Sequence, residues 1–219
     1  MMTHAAIPEG VDEPSSTLLR RAYAVATTED GQQLYRDWAT TYDATMLDGL
    51  GYVTPRLVAK ALAQQLKSLE SPVLDVGCGT GLVGAEAVAL GYATVDGLDL
   101  SAAMMAVAAQ RGVYRQLLEG NLTQPLSIES GKYAAVVCAG TFTSGHVDAS
   151  CLGELVRILR PGGWLVCTVH HAVWEPLGFA TGFARLVSAH TLVPVVEAHI
   201  GYYVSSSNDG RLLVYRAAD

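Results

Sequence analysis

A doubly wound α/β domain is the fold class that the sequence predicts, and three observations predict it. Val73-Leu74-Asp75-Val76 is a short, mostly apolar run that enters a glycine-rich turn, Gly77-Cys78-Gly79-Thr80-Gly81, before a helical pattern over 82–90. Such a run reads as a strand buried inside a parallel sheet. Strand-like and helix-like segments then alternate, giving five strands in all, as stacked βα units require. The chain closes with two strand-like runs, 195–204 and 211–215, about the turn signal Asn208-Asp209-Gly210. Half of the 219 residues are hydrophobic and 16% are charged, which suits one large core and excludes disorder over most of the length.

Residues 1–27 carry no periodicity over their first part and are expected to form a mobile arm, followed by a single domain over 28–219. Thr28, with Glu29 and Asp30 behind it, can start a helix. Tyr35, Trp38 and Tyr42 then recur at spacings of three and four, so that their rings can share one face. Segment 28–50 is expected either to pack on the domain or to act as an aromatic lid. Thr54-Pro55 starts a second helix with proline at its first position. Its stripe of Leu57, Val58, Ala61, Leu62, Leu66 and Leu69 faces the sheet. Beyond the central strand come strands over 93–100, 113–118, 133–139 and 164–170. Helices over 102–111, N-capped by Ser101, and 148–159 lie between them. Residues 171–190, with Trp174, Phe179 and Phe183, read as an insertion that caps a pocket.

The glycine turn allows backbone amides to approach a ligand, and a helix N-terminus opens beside it. Gly79, Gly81 and Gly84 spell G-x-G-x-x-G, and Asp99 ends the next strand where a ribose acid belongs. On these residues alone a nicotinamide enzyme stays open. Asp75, directly before the turn, sets a carboxylate where a pyrophosphate would be repelled and a cation attracted. Leu100 and Met104 can sandwich a flat base.

Asp75-Val76-Gly77-Cys78-Gly79-Thr80-Gly81, Gly97-Leu98-Asp99-Leu100-Ser101 and Leu159-Arg160-Pro161-Gly162-Gly163 together resemble the motifs of class I S-adenosylmethionine-dependent methyltransferases. The resemblance implies a Rossmann-like sheet of seven strands in the order 3-2-1-4-5-7-6, one strand antiparallel, with helices on both faces. It implies S-adenosylmethionine as cofactor and S-adenosylhomocysteine as product. Cofactor contacts are then expected from Tyr35, Tyr42, Asp75, Gly77, Cys78, Gly79, Gly81, Asp99, Leu100, Met104, Asn121, Leu122 and Ala139. Asn121 stands where the family usually has an acid that accepts from the adenine amino group. The segments Trp38–Asp43, Leu50–Tyr52 and Cys138–Val147 are similar to the small Williams–Beuren-region methyltransferase-like group. Fold and cofactor do not determine the acceptor.

The formal charge is −7 and no basic run occurs, which argues against a nucleic-acid partner. Cys78, Cys138, Cys151 and Cys167 form no C-x-x-C pair and read as buried thiols, and no metal is expected. With no signal-peptide pattern and no run of membrane-spanning length, a cytoplasmic protein with no membrane partner is expected. A small-molecule acceptor would meet Thr143, His146, His170, His171 and Trp174. His146 or His171 would act as base, with His146 favoured because the loop after the fourth strand faces the transferred methyl in similar enzymes. The competing readings are a non-catalytic cofactor-binding or partner-binding module and an NAD-binding oxidoreductase.

Overall fold

Val73–Val76, wholly buried, is the central strand β1 of a seven-stranded sheet. The computed structural model describes residues 13–25, 28–145 and 147–219. β2 (Val95–Asp99), β3 (Gln116–Glu119), β4 (Tyr133–Phe142) and β5 (Leu159–His170) run parallel to β1. β7 (Gly210–Ala217) pairs antiparallel with β5 and with β6 (Leu192–Ile200), giving the order β3-β2-β1-β4-β5-β7-β6. This is the expected sheet.

Successive residues of a strand face opposite sides. Val73, Val95, Ala135, Val137 and Val166 therefore meet one layer of helices, α3 (Thr54–Gln65) and α4 (Leu82–Ala89), through Val58, Leu62, Val83 and Ala87. Leu74, Val136, Cys138, Leu165 and Cys167 meet the other layer, α6 (Leu152–Ile158) and α8 (Phe179–Ser188), through Leu155, Ile158, Phe179 and Phe183. The helix α5 (Ala102–Arg111) starts at Ser101, whose Oγ accepts from the Met104 amide at 3.3 Å, and stops at Gly112 in the left-handed region (φ 63°). All four cysteines are buried free thiols, and burial pushes those of Cys78, Cys138 and Cys167 far up. At the β2–β3 edge, buried Asp96 accepts from Arg115 (2.9 and 2.6 Å), Gln116 and Tyr133, and these hydrogen bonds hold its carboxyl below the usual range despite its burial.

Three expectations need correction. The arm expected through residue 27 instead forms helix α1 (Glu13–Tyr23), because Leu19 and Ala22, three apart on one face, are buried against Trp38, Met46 and Tyr52. Residues 1–12 lie outside the described residues. The lid segment is broken: α2 (Thr28–Trp38) ends at a turn and a short π-helix (Ala44–Gly49) follows. Finally, Asn208-Asp209-Gly210 is not a tight turn. Ile200 pairs with Gly210, and the Asp209 carboxylate accepts from the Tyr202 amide at 2.7 Å and from the Ser206 hydroxyl, closing a longer loop over 201–209. That loop turns Tyr202 and Tyr203 into a third small core with α1, α2 and Tyr52. Among the described residues, no helix is long and apolar enough to cross a membrane.

Candidate functional site

In an open α/β sheet the order reverses beside β1, where β2 lies on one side and β4 on the other, and the crevice past the strand ends is the place for a ligand. A cleft of about 890 Å³, its mouth included, lies there. Gly77 and Gly79 form its floor after β1, and Leu98 to Ser101 border it after β2. Gly77 has to be glycine: φ is +66°, and a Cβ would stand 1.9 Å from the Thr141 hydroxyl oxygen. The Asp99 carboxylate accepts from the Gly79 amide and the Ser101 amide, both at 2.8 Å. A carboxylate can accept about four hydrogen bonds, so a diol can be held as well. Leu100, Met104 and Leu122 give that end apolar walls.

Of the residues expected to bind a cofactor, Tyr35, Tyr42, Gly77, Gly79, Asp99, Leu100, Met104, Asn121, Leu122 and Ala139 line this cleft. Asp75, Cys78 and Gly81 do not. Asp75 is fully buried beneath the loop, where Oδ2 accepts from the Tyr114 hydroxyl (2.5 Å) and the Gly84 amide (3.1 Å). Its Oδ1 has no partner among the described residues. Burial outweighs these hydrogen bonds and pushes the carboxyl up to about 7. The Asn121 side-chain oxygen already accepts from the Thr123 amide (2.9 Å) and hydroxyl (2.8 Å), so its amide nitrogen, a donor, is the group to offer a base.

The acceptor-side expectations divide. Thr143 lines a second, partly open cavity of about 410 Å³, its mouth included, which shares Tyr35, Tyr42 and Gly140 with the cleft. His146 lies outside the described residues; its chain neighbours Gly145 and Val147 line the cleft. His170, His171 and Trp174 line neither cavity. His170 is buried and its Nδ1 accepts from the Ala172 amide at 3.2 Å, capping the short helix α7 (His171–Trp174). Burial, with His171 beside it, pushes its pKa down to about 4. His171 is exposed, with Nδ1 2.7 Å from the Asp209 carbonyl. Trp174 stacks on Phe183, with the Arg211 guanidinium over its ring. The insertion over 171–190 is therefore part of the sheet's helix layer, because Phe179 and Phe183, one turn apart, are drawn into the main core.

Several site groups escaped the sequence reading. Gly31 and Gln32 line the cleft one turn before Tyr35, a helical spacing that could have identified them. Tyr52, Tyr202 and Tyr203 line the second cavity, but no local pattern brings them together. Asp43, beyond the aromatic helix, accepts from the Thr80 hydroxyl at 2.5 Å and pairs with Arg111, whose Nε donates to the Thr80 carbonyl at 2.5 Å. This cluster ties the segment over the cleft to the glycine loop and to the end of α5. Asp99→Ala should weaken binding of an adenosine-bearing ligand by about 1–3 kcal/mol, the range for lost hydrogen bonds to a charged group. Calorimetric titration of both proteins with S-adenosylhomocysteine measures it, and equal affinities would remove Asp99 from the site.

Residues 73–163 match a methyltransferase domain. The chain is 36% identical over 155 residues to human methyltransferase-like protein 27, an alignment that covers 68% of this chain and 61% of that relative's length. The chain thus spans about three-fifths of the length of that curated relative. Among solved structures, the methyltransferase in complex with the Haloferax volcanii Trm112 methyltransferase activator superposes with a TM-score of 0.61 at 19% identity, covering 84% of this chain and 97% of that one. The [4+2]-cyclase SpnF superposes with a TM-score of 0.66 at 16% identity, covering 89% and 97%. At such identities the likeness concerns the fold, and a cyclase on the same fold shows that the chemistry has to be argued from the site.

Proposed function

The chain carries a class I S-adenosylmethionine-dependent methyltransferase domain, and from that premise we propose that it transfers a methyl group to a small-molecule acceptor. The observation that carries the reading is the junction of the two cavities at Tyr35, Tyr42 and Gly140. Asp99, Leu100, Met104 and Leu122 suit the adenosine end of S-adenosylmethionine, and with that end held there Gly77, Ala139 and Gly140 would border its sulfonium end. The second cavity begins there, roofed by Leu19 and Ala22 of α1. A recess of that size, walled by side chains of four chain segments, suits a small molecule better than a protein side chain presented on a broad surface.

In the transfer, a lone pair of the acceptor forms a bond to the methyl carbon as the carbon–sulfur pair returns to sulfur, leaving a neutral thioether. An acceptor that arrives protonated gives its proton to a base, the role proposed for His146. The remaining work is to align nucleophile and methyl and to exclude water. Tyr35 and Tyr42 serve as the lid, held by the Asp43–Arg111–Thr80 cluster. Trypsin should therefore cut at exposed Arg20, Arg21 and Arg36 more slowly when S-adenosylhomocysteine is bound. Equal cleavage with and without it would leave a packed helix and no lid.

The experiment that tests the function is incubation with S-adenosylmethionine and a protein-free metabolite extract, following release of S-adenosylhomocysteine. Release above the extract-free background is expected. A cofactor-binding module without transfer would give none, although it would still bind S-adenosylhomocysteine.

A further inference from the structure

The second cavity is lined by six aromatic rings: Tyr35, Trp38, Tyr42, Tyr52, Tyr202 and Tyr203. None of its described lining residues is an acid, a base or a histidine. An anionic acceptor would lose its hydration there without a counter-charge, at a cost of several kcal/mol. A primary ammonium would meet ring faces and hydroxyls but no carboxylate, and while protonated it has no lone pair to attack a methyl. Flat aromatic molecules suit such walls, which offer offset and edge-to-face contacts worth about 0.5–1.5 kcal/mol per ring pair beyond burial. The rings already contact one another in that way: Trp38 meets Tyr42 edge-on at 4.8 Å between centroids, and Tyr52 meets Tyr202 at 6.5 Å.

The Trp38 ring also carries a polar atom. Trp38 is 2% exposed, and its indole Nε1, a donor only, has no hydrogen-bond partner among the described residues. A buried donor left unmade costs about 1–3 kcal/mol. An acceptor oxygen or nitrogen brought against it on binding would satisfy it. Where the cavity meets the cleft, only glycine allows the Tyr52 hydroxyl to approach the chain so closely: the Gly140 φ is +77°, and a Cβ there would stand 2.4 Å from that oxygen. On the reading that the domain is a methyltransferase, we infer that this aromatic chamber takes an uncharged, flat aromatic acceptor whose heteroatom receives a hydrogen bond from Trp38 Nε1.

The test uses the whole protein saturated with S-adenosylhomocysteine and titrated calorimetrically with three probes of one shape. These are 2-naphthol, 2-naphthoate and 2-(aminomethyl)naphthalene, which are neutral, anionic and cationic at pH 7.5. 2-Naphthol should bind at least tenfold more tightly than either charged probe. Ala22→Leu, which fills the roof, should weaken 2-naphthol about tenfold and leave S-adenosylhomocysteine affinity unchanged. Trp38→Phe should weaken 2-naphthol roughly threefold to tenfold, the scale of one net hydrogen bond. Naphthalene, which lacks the oxygen, should bind that variant as it binds the parent. If a charged probe binds as well as 2-naphthol, if none binds, or if Ala22→Leu changes nothing, the inference falls while the cofactor reading stands. If S-adenosylhomocysteine itself fails to bind, it is the methyltransferase reading that fails.

Discussion

Replacing Asp75 by Asn is expected to remove a pH dependence of folding worth a few kcal/mol. In the folded protein the Asp75 carboxyl is held up to about 7 by burial, against 3.8 for the ordinary group. Between those values the folded state keeps a proton that the unfolded chain has lost. Its contribution to stability is therefore complete below about 3.8, declines as pH rises, and is gone once pH passes about 7. At about 1.4 kcal/mol for each pH unit in that interval, the change is on the order of 4 kcal/mol. Asn keeps an oxygen for the Gly84 amide and the Tyr114 hydroxyl but carries no charge to desolvate. Urea unfolding of both proteins at pH 5 and pH 8 measures the effect. The variant should gain on the parent between the two values, and parallel stabilities would show that Asp75 is ionised at pH 5 in the fold.

His146→Ala is expected to lower kcat on the order of 10²-fold, the lower end for a lost general base, with S-adenosylhomocysteine affinity nearly unchanged. The expectation rests on elimination among the three histidines near the strand ends. His170 is buried, caps α7 through the nitrogen that a base would use, and is neutral well below physiological pH. His171 turns to the Asp209 carbonyl, away from both cavities. His146 falls between Gly145 and Val147, which both border the cleft. Turnover is measured with the acceptor identified by the extract assay. A variant with near-normal kcat would mean that alignment alone drives transfer and that no base acts at this position.

What could be read in the sequence follows from where the physics is local. β1 and α5 were legible because an apolar run and a serine N-cap act within a few residues, and the structure keeps Ser101 in that role. The glycine loop was legible because only glycine tolerates the Gly77 backbone and the nearby Thr141. Asp75 was placed correctly in the chain but assigned to the wrong side of the loop. An acid at a strand end can face the ligand or the core, and Tyr114, 39 residues away, decides for the core. The capping role of Trp174 failed for a similar reason. Phe179 and Phe183 have the spacing of a core-facing helix, and that pull outweighs exposure over a pocket. Tyr202 and Tyr203 were hidden inside an expected strand, because the loop that displays them depends on the Asp209 carboxylate. The aromatic chamber joins α1, α2, Tyr52 and that loop, and no window of sequence contains it.

The central claim, that the cleft past β1 and β2 holds S-adenosylmethionine, is tested most directly by calorimetric titration of the intact chain with S-adenosylhomocysteine and, separately, with NAD. One site per chain is expected for S-adenosylhomocysteine and no heat from NAD, because Asp99 lines the cleft with an acid that could accept from a sugar diol, while no lysine or arginine is among its described lining residues for a pyrophosphate. Binding of NAD with no binding of S-adenosylhomocysteine would contradict it.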